Sequence, residues 1–225
     1  MSETVIHKII RSKRRSVVLT IAPDASLIIR APEKVSLEAI HQFVREKISW
    51  ITKKQRIARE NFIAVPKKEF VEGEHFIYLG KMYPLLITDN GQMPFSFTGK
   101  EFLLKQEHHT EARILFTAWY KQRALEFLQE RVKFYADQAG LRYSRVKINS
   151  AKYRWGSCNT KGMLNFSWRI ILAPVEAADY VVVHELAHLA QHNHSKKFWD
   201  KVASMLPRYH EAKRWLRKNH YLLEL

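Results

Sequence analysis

Residues 181–199 read VVVHELAHLAQHNHSKKFW, with histidines at 184, 188, 192 and 194. His184 and His188 are four apart, so on a helix both imidazoles leave one face about one turn apart. That spacing grips a single zinc ion from a rigid support. Glu185, beside the first ligand, reaches a water on the metal and takes its proton. An HxxxH pair alone occurs on ordinary helices, whereas HExxH is more restrictive. The context strengthens it: Pro174 allows a helix to begin, and Val182, Leu186, Leu189 and Ala190 form an apolar stripe that buries one side.

Catalytic zinc usually takes three protein ligands and keeps one position open. His192 continues the stripe 184, 188, 192, but eight residues of straight helix span about 12 Å, too far to share one ion. His194 is better placed if the helix ends within residues 191–193, with Asn193 tolerating a left-handed turn that folds the chain back. Glu211, on a following helix, is a further candidate.

YRWGSC, residues 153–158, precedes the zinc helix closely enough to line the same cleft. Gly156 makes a tight turn there, and Arg154 can steady a developing oxyanion or bind a substrate carboxylate or phosphate. Trp155 and Trp168 read as core or cleft walls, and Cys158 as a packed turn residue. In NFSWRI, alternation sends Phe166, Trp168 and Ile170 to one face, leaving a backbone that could pair with an extended peptide. Ser195 can cap the next helix, with Phe198 and Trp199 anchoring it. Tyr209 and His210 come near the zinc if the final helices fold over it.

The elements that must hold these groups follow from periodicity. VIHKII, SVVLTI and SLIIRAP read as strands, and residues 36–58 as one helix behind a capping Ser36. Short strands broken at Gly73, Gly80 and Pro84 come next, then a hairpin within 91–105. Residues 107–139 carry the longest helical pattern, stopped by Gly140. RVKINS and NFSWRIILAP read as strands, Pro174 opens the HELAH helix, and the remainder is helical with a break near Pro207. The expected fold is α+β: a β-rich N-terminal module with one helix over 1–105, and a zincin-like catalytic domain over 106–225.

Composition bounds the setting. The 38 basic residues outnumber 22 acidic ones, a net charge of +16, and the excess is concentrated in residues 1–60 and 146–225. Such a surface favours polyanionic partners, or is simply solvated. The single cysteine, Cys158, excludes an intramolecular disulfide and fits a reducing compartment. No apolar run approaches the roughly 20 residues of a membrane span, and the N-terminus lacks the layout of a signal peptide. A cytoplasmic protein is expected.

HELAHLAQHNHSKKFW resembles the HExxHxxxxxH motif of the YgjP-like metallopeptidase family, relatives of the SprT-like and WLM metallopeptidases. RWGSCNTKGMLNFSWRIILAPVEAADYVVVHE matches the same family, and the segment from RRSVVLTIAPDAS to REKISWI resembles its opening, so the likeness covers most of the chain. The resemblance implies His184, His188 and His194 as zinc ligands and Glu185 as catalytic base. Gln191 stands where metzincins carry glycine, so the chain is not a metzincin. The implied activity is peptide hydrolysis of a polypeptide substrate. Family members are also described as pyrophosphatases acting on the nucleoside triphosphate UTP, although the chain has no Walker loop and no carboxylate cluster for magnesium. A third reading, from the SprT-like relatives, is a nucleic-acid-associated zinc protein docking through the basic surface, although no zinc finger or recognition-helix signature is present.

Overall fold

The computed structural model describes residues 6–22, 24–60, 67–90, 93–152 and 154–225. Two compact units divide the chain, residues 1–65 and 66–225. Both are α+β. No helix among the described residues is long and apolar enough to cross a membrane.

The first unit has strands β1 (Ile6–Ser12), β2 (Val18–Ile21) and β3 (Leu27–Pro32), then helices α1 (Leu37–Glu46) and α2 (Ile48–Glu60). β3 is central, parallel to β1 and antiparallel to β2. Its alternation buries Leu27, Ile29 and Ala31, which pack with Ile40, Val44 and Ile51 of the helices. Ser36 caps α1 as expected, its hydroxyl accepting from the Ala39 N–H at 3.1 Å. The single expected helix over 36–58 is interrupted at Lys47 (φ −102°, ψ 10°). A straight helix of that length runs about 34 Å, well beyond a six-residue strand of about 20 Å. Bending at Lys47 brings Ile51 back onto the core and leaves Ile48 exposed.

The second unit begins with β4 (His75–Tyr78), β5 (Lys81–Thr88), β6 (Phe95–Phe97) and β7 (Phe102–Lys105), ordered β4-β5-β7-β6. Pro84 does not break β5 as expected. It sits where β5 changes from pairing with β4 to pairing with β7, so its missing N–H disturbs the ladders least. Helix α3 (Ala112–Ala139) follows a 3₁₀ turn and stops at Gly140, which is left-handed (φ 64°). Phe76 and Phe95 pack their rings 4.2 and 4.4 Å from Phe116 of α3. This shared aromatic core explains why the compact unit begins at residue 66 and not at 106: strands β4–β7 bury their apolar face on α3, and the N-terminal module has its own core.

A second sheet contains β8 (Arg145–Asn149), β9 (Gly156–Cys158) and β10 (Met163–Ser167), with β10 in the middle, parallel to β8 and antiparallel to β9. The strand expected to run through NFSWRIILAP ends at Ser167. There the buried Ser167 hydroxyl donates to the Ala151 carbonyl at 2.6 Å and accepts from the Arg169 N–H, starting a 3₁₀ turn over 168–172. Trp168, Ile170, Ile171 and Leu172 are all buried, not alternately so. Helices α4 (Val175–Ala190), α5 (Lys196–Met205) and α6 (Tyr209–Asn219) complete the unit.

Two anchors fix α4. The turn between β4 and β5 donates Leu79 and Gly80 N–H groups to the Ile171 and Leu172 carbonyls at 2.8 and 3.1 Å. Gly80 has φ +77°, and a Cβ there would stand 2.9 Å from Pro174, so both backbone conformation and space require glycine. Farther along, Asp179 is buried and accepts two 2.6 Å hydrogen bonds from Arg131 of α3, with the Tyr135 hydroxyl donating at 3.0 Å. A bidentate pair of this kind fixes both the rotation and the height of one helix on another.

Candidate metal centre

α4 begins at Val175 behind Pro174, whose missing N–H is harmless at a helix start, and carries His184 and His188 one turn apart. It ends at Ala190, and Gln191 is extended (φ −141°, ψ 109°). That extended residue redirects the chain; Asn193 is not left-handed, contrary to the expectation for it. The Asn193 side chain instead accepts from the Ser195 N–H at 3.3 Å, and Ser195 opens α5 without a side-chain cap.

The turn brings His194 onto the α4 pair. His184, His188 and His194 each offer a ring nitrogen, and the three atoms lie within 4.8 Å of one another. His184 Nε2 and His194 Nε2 stand 3.2 Å apart. His188 Nδ1 lies 3.2 Å from the Gln191 carbonyl oxygen, which can only accept, so Nδ1 carries the proton and Nε2 keeps its lone pair. His184 Nδ1 is buried without a partner among the described residues. Burial, then the neighbouring His188 and His194 and the charge of Lys213, push His184 down to about 4. Burial is also the largest cause holding His188 below the usual histidine range. Imidazoles converging on one point are the donor set of a transition metal, so the residues fit such an ion. His192 is exposed and outside this group. Glu211 is also outside it, its carboxylate taken by Arg208 at 2.8–3.1 Å.

Glu185, beside the triad, is buried with 6% exposure. Burial raises its carboxyl to about 7, against the lowering effects of the Arg154 charge and a hydrogen bond from the Cys158 backbone. Gly156 of β9 stands directly on this side chain: a Cβ there would come 2.6 Å from Glu185 Cγ and 2.7 Å from Oε1. The sequence reading took Gly156 for a turn residue, but close approach to Glu185 is what the position demands. Arg154 is exposed just before β9 and makes no hydrogen bond or ion pair among the described residues. Cys158 is half-buried, its thiol pushed up by burial first and the Glu185 charge second.

An aromatic wall closes the other side. Phe198 is fully buried and packs its ring 4.7 Å from those of His188 and His194. Tyr209 lies between Tyr180 and Trp199, nearly parallel to both at 6.2 and 5.5 Å. Tyr209 thus lies in the wall beside the triad, while His210 is exposed with its ring against Tyr209 at 3.9 Å. Two neighbours of the site escaped the sequence reading: Tyr180, four residues before His184 on the same helix, and Lys213, four after Tyr209. That helical spacing was the available signal for each.

One solved structure similar to this chain is the crystal structure of the metallopeptidase zymogen of Pyrococcus abyssi abylysin. It shares 26% identity at a TM-score of 0.37, covering 40% of this chain and 93% of that one. No curated protein matches the chain. The family model described as YgjP-like, metallopeptidase domain, matches residues 15–219, and the chain that presents this histidine triad belongs to that family.

Proposed function

We propose that the protein is a zinc-dependent peptidase in which His184, His188 and His194 hold the metal and Glu185 is the general base. The observation that carries this reading is the convergence of three imidazoles beside one buried carboxylate. The 3.2 Å between His184 Nε2 and His194 Nε2 is close to the edge of a tetrahedron, about 3.3 Å, built on zinc–nitrogen bonds of roughly 2.0–2.1 Å. Zinc, when bound, supplies a Lewis acid that acidifies water and polarises a carbonyl.

The chain's own residues do the rest. Glu185 accepts a proton from the attacking water and returns it to the leaving amine; a carboxyl raised to about 7 suits both halves of that transfer. Gly156 leaves room for that carboxylate, and the Cys158 amide orients it. Arg154 lies on the same side, its charge acting on Glu185, and is free to receive developing negative charge. The substrate backbone pairs with β9. The strand expected to do so, β10, is paired on both sides, whereas among the described residues β9 pairs with β10 alone, and its Gly156 lies against Glu185.

The test is hydrolysis by the zinc-loaded protein of unfolded polypeptides and, in parallel, nucleoside triphosphates, with Glu185→Gln alongside. Peptide cleavage lost in the variant supports the reading. Release of pyrophosphate with the same dependence on Glu185, and no cleaved peptide, replaces it with nucleotide hydrolysis.

A further inference from the structure

Lys213 follows Tyr209 by one turn of α6, so both side chains leave the same face of the helix. Tyr209 is buried and stacks on Trp199. The Lys213 ammonium stands 3.9 Å from the centroid of that same Trp199 ring. The indole in turn lies 5.9 Å from the rings of both His184 and His194. Trp199 is therefore a platform that the ammonium, the Tyr209 ring and both imidazoles share as a neighbour. A cation over an indole is oriented without being neutralised, and its three N–H donors remain unspent.

The neighbouring acids do not neutralise it either. Among the described residues Lys213 makes no ion pair; Glu211 on its own helix is held by Arg208, and Asp200 beside Trp199 by Lys196. The charge is exposed at the site and is felt at His184. An extended peptide advances about 3.3 Å per residue, so a group one or two residues from the scissile bond comes within reach of this platform.

Resting on the peptidase reading above, we propose that Lys213 is a specificity-determining residue that receives a substrate carboxylate one or two residues from the scissile bond, so that the site selects acidic peptides. The carboxylate belongs to an Asp or Glu side chain or to the C-terminus of the peptide.

The experiment uses quenched fluorescent peptides that differ only by Glu or Gln at the two positions on either side of the cleaved bond, each with a free or an amidated C-terminus. For the zinc-loaded protein, kcat/KM for a Glu peptide exceeds that of its Gln twin by about fivefold, the scale of one solvent-exposed ion pair. Lys213→Met brings the ratio to about one, Lys213→Glu inverts it, and Lys213→Arg keeps it. A preference tied to the free C-terminus, and absent for side-chain pairs, assigns the carboxylate to the chain end. A ratio unchanged by Lys213→Met overturns the proposal.

Affinities of the same peptides for the Glu185→Gln protein, with and without Lys213→Met, separate the two claims. Discrimination that vanishes with Lys213 supports the subsite even if nothing is cleaved, and then only the peptidase reading fails. Equal or undetectable binding of Glu and Gln peptides removes the subsite.

Discussion

Gly156 and Glu185 are in contact across the site, so near that a Cβ on residue 156 would stand 2.6 Å from Glu185 Cγ. Real side chains do not tolerate that approach, so Gly156→Ala must displace the carboxylate or move β9. The three histidines lie outside β9, two on α4 and one in the turn after it, and are left in place. We expect kcat to fall about 100-fold, within the range ascribed to a positioned general base, with metal content by atomic absorption unchanged. Loss of metal together with activity would show instead that the whole of α4 had shifted.

His194 is supplied by the turn after α4, and the alternatives for its role make separable predictions. His194→Ala should weaken metal binding by more than the roughly 10- to 100-fold that changes in an outer shell cost. His192→Ala and Glu211→Ala should leave affinity unaltered, because His192 is exposed and Glu211 is paired with Arg208. Competition with a chromophoric chelator reads all three.

Asp179 fixes α4 to α3 through Arg131 and Tyr135. Asp179→Ala leaves a partly buried guanidinium without its carboxylate, and removing one partner of such a pair costs about 3–5 kcal/mol. Urea unfolding should show that loss. The double change Asp179→Leu with Arg131→Met should recover part of it, since apolar groups of similar volume leave no charge unpaired. No recovery would mean the pair contributes more than its desolvation costs.

Cys158 offers a pH test. Its thiol is raised by burial and secondarily by the Glu185 charge, so the thiolate forms only above the ordinary cysteine range. Alkylation of the metal-free protein should be slow near neutrality and should rise at higher pH than for an unfolded control. Glu185→Gln removes the nearby negative charge and should move the rise toward lower pH. An unshifted profile would place the thiol out of electrostatic reach of residue 185.

Much of the fold was legible because the signals are local. Strand alternation in SLIIRAP, the Ser36 cap, the Gly140 stop and the helix opened by Pro174 depend on a few neighbours in sequence, and each stands where it was expected. The misreadings share a cause. Pro84, the bend at Lys47 and the end of β10 at Ser167 depend on what lies across the sheet or beneath the helix. The unit boundary at 65/66 follows from phenylalanines distant in sequence meeting on Phe116.

By itself the sequence determined that His184 and His188 share a helix face with Glu185 between them, because helical periodicity sets that geometry wherever the helix is placed. It also carried the family likeness that the match over residues 15–219 bears out. Only the tertiary structure brought His194 onto the pair, since an extended Gln191 that redirects the chain has no signature in residue spacing. It alone set Gly156 against Glu185 and Lys213 on Trp199. Residues tens of positions apart meet only when helices and strands pack, and packing is where the properties of a carboxylate or an ammonium are set.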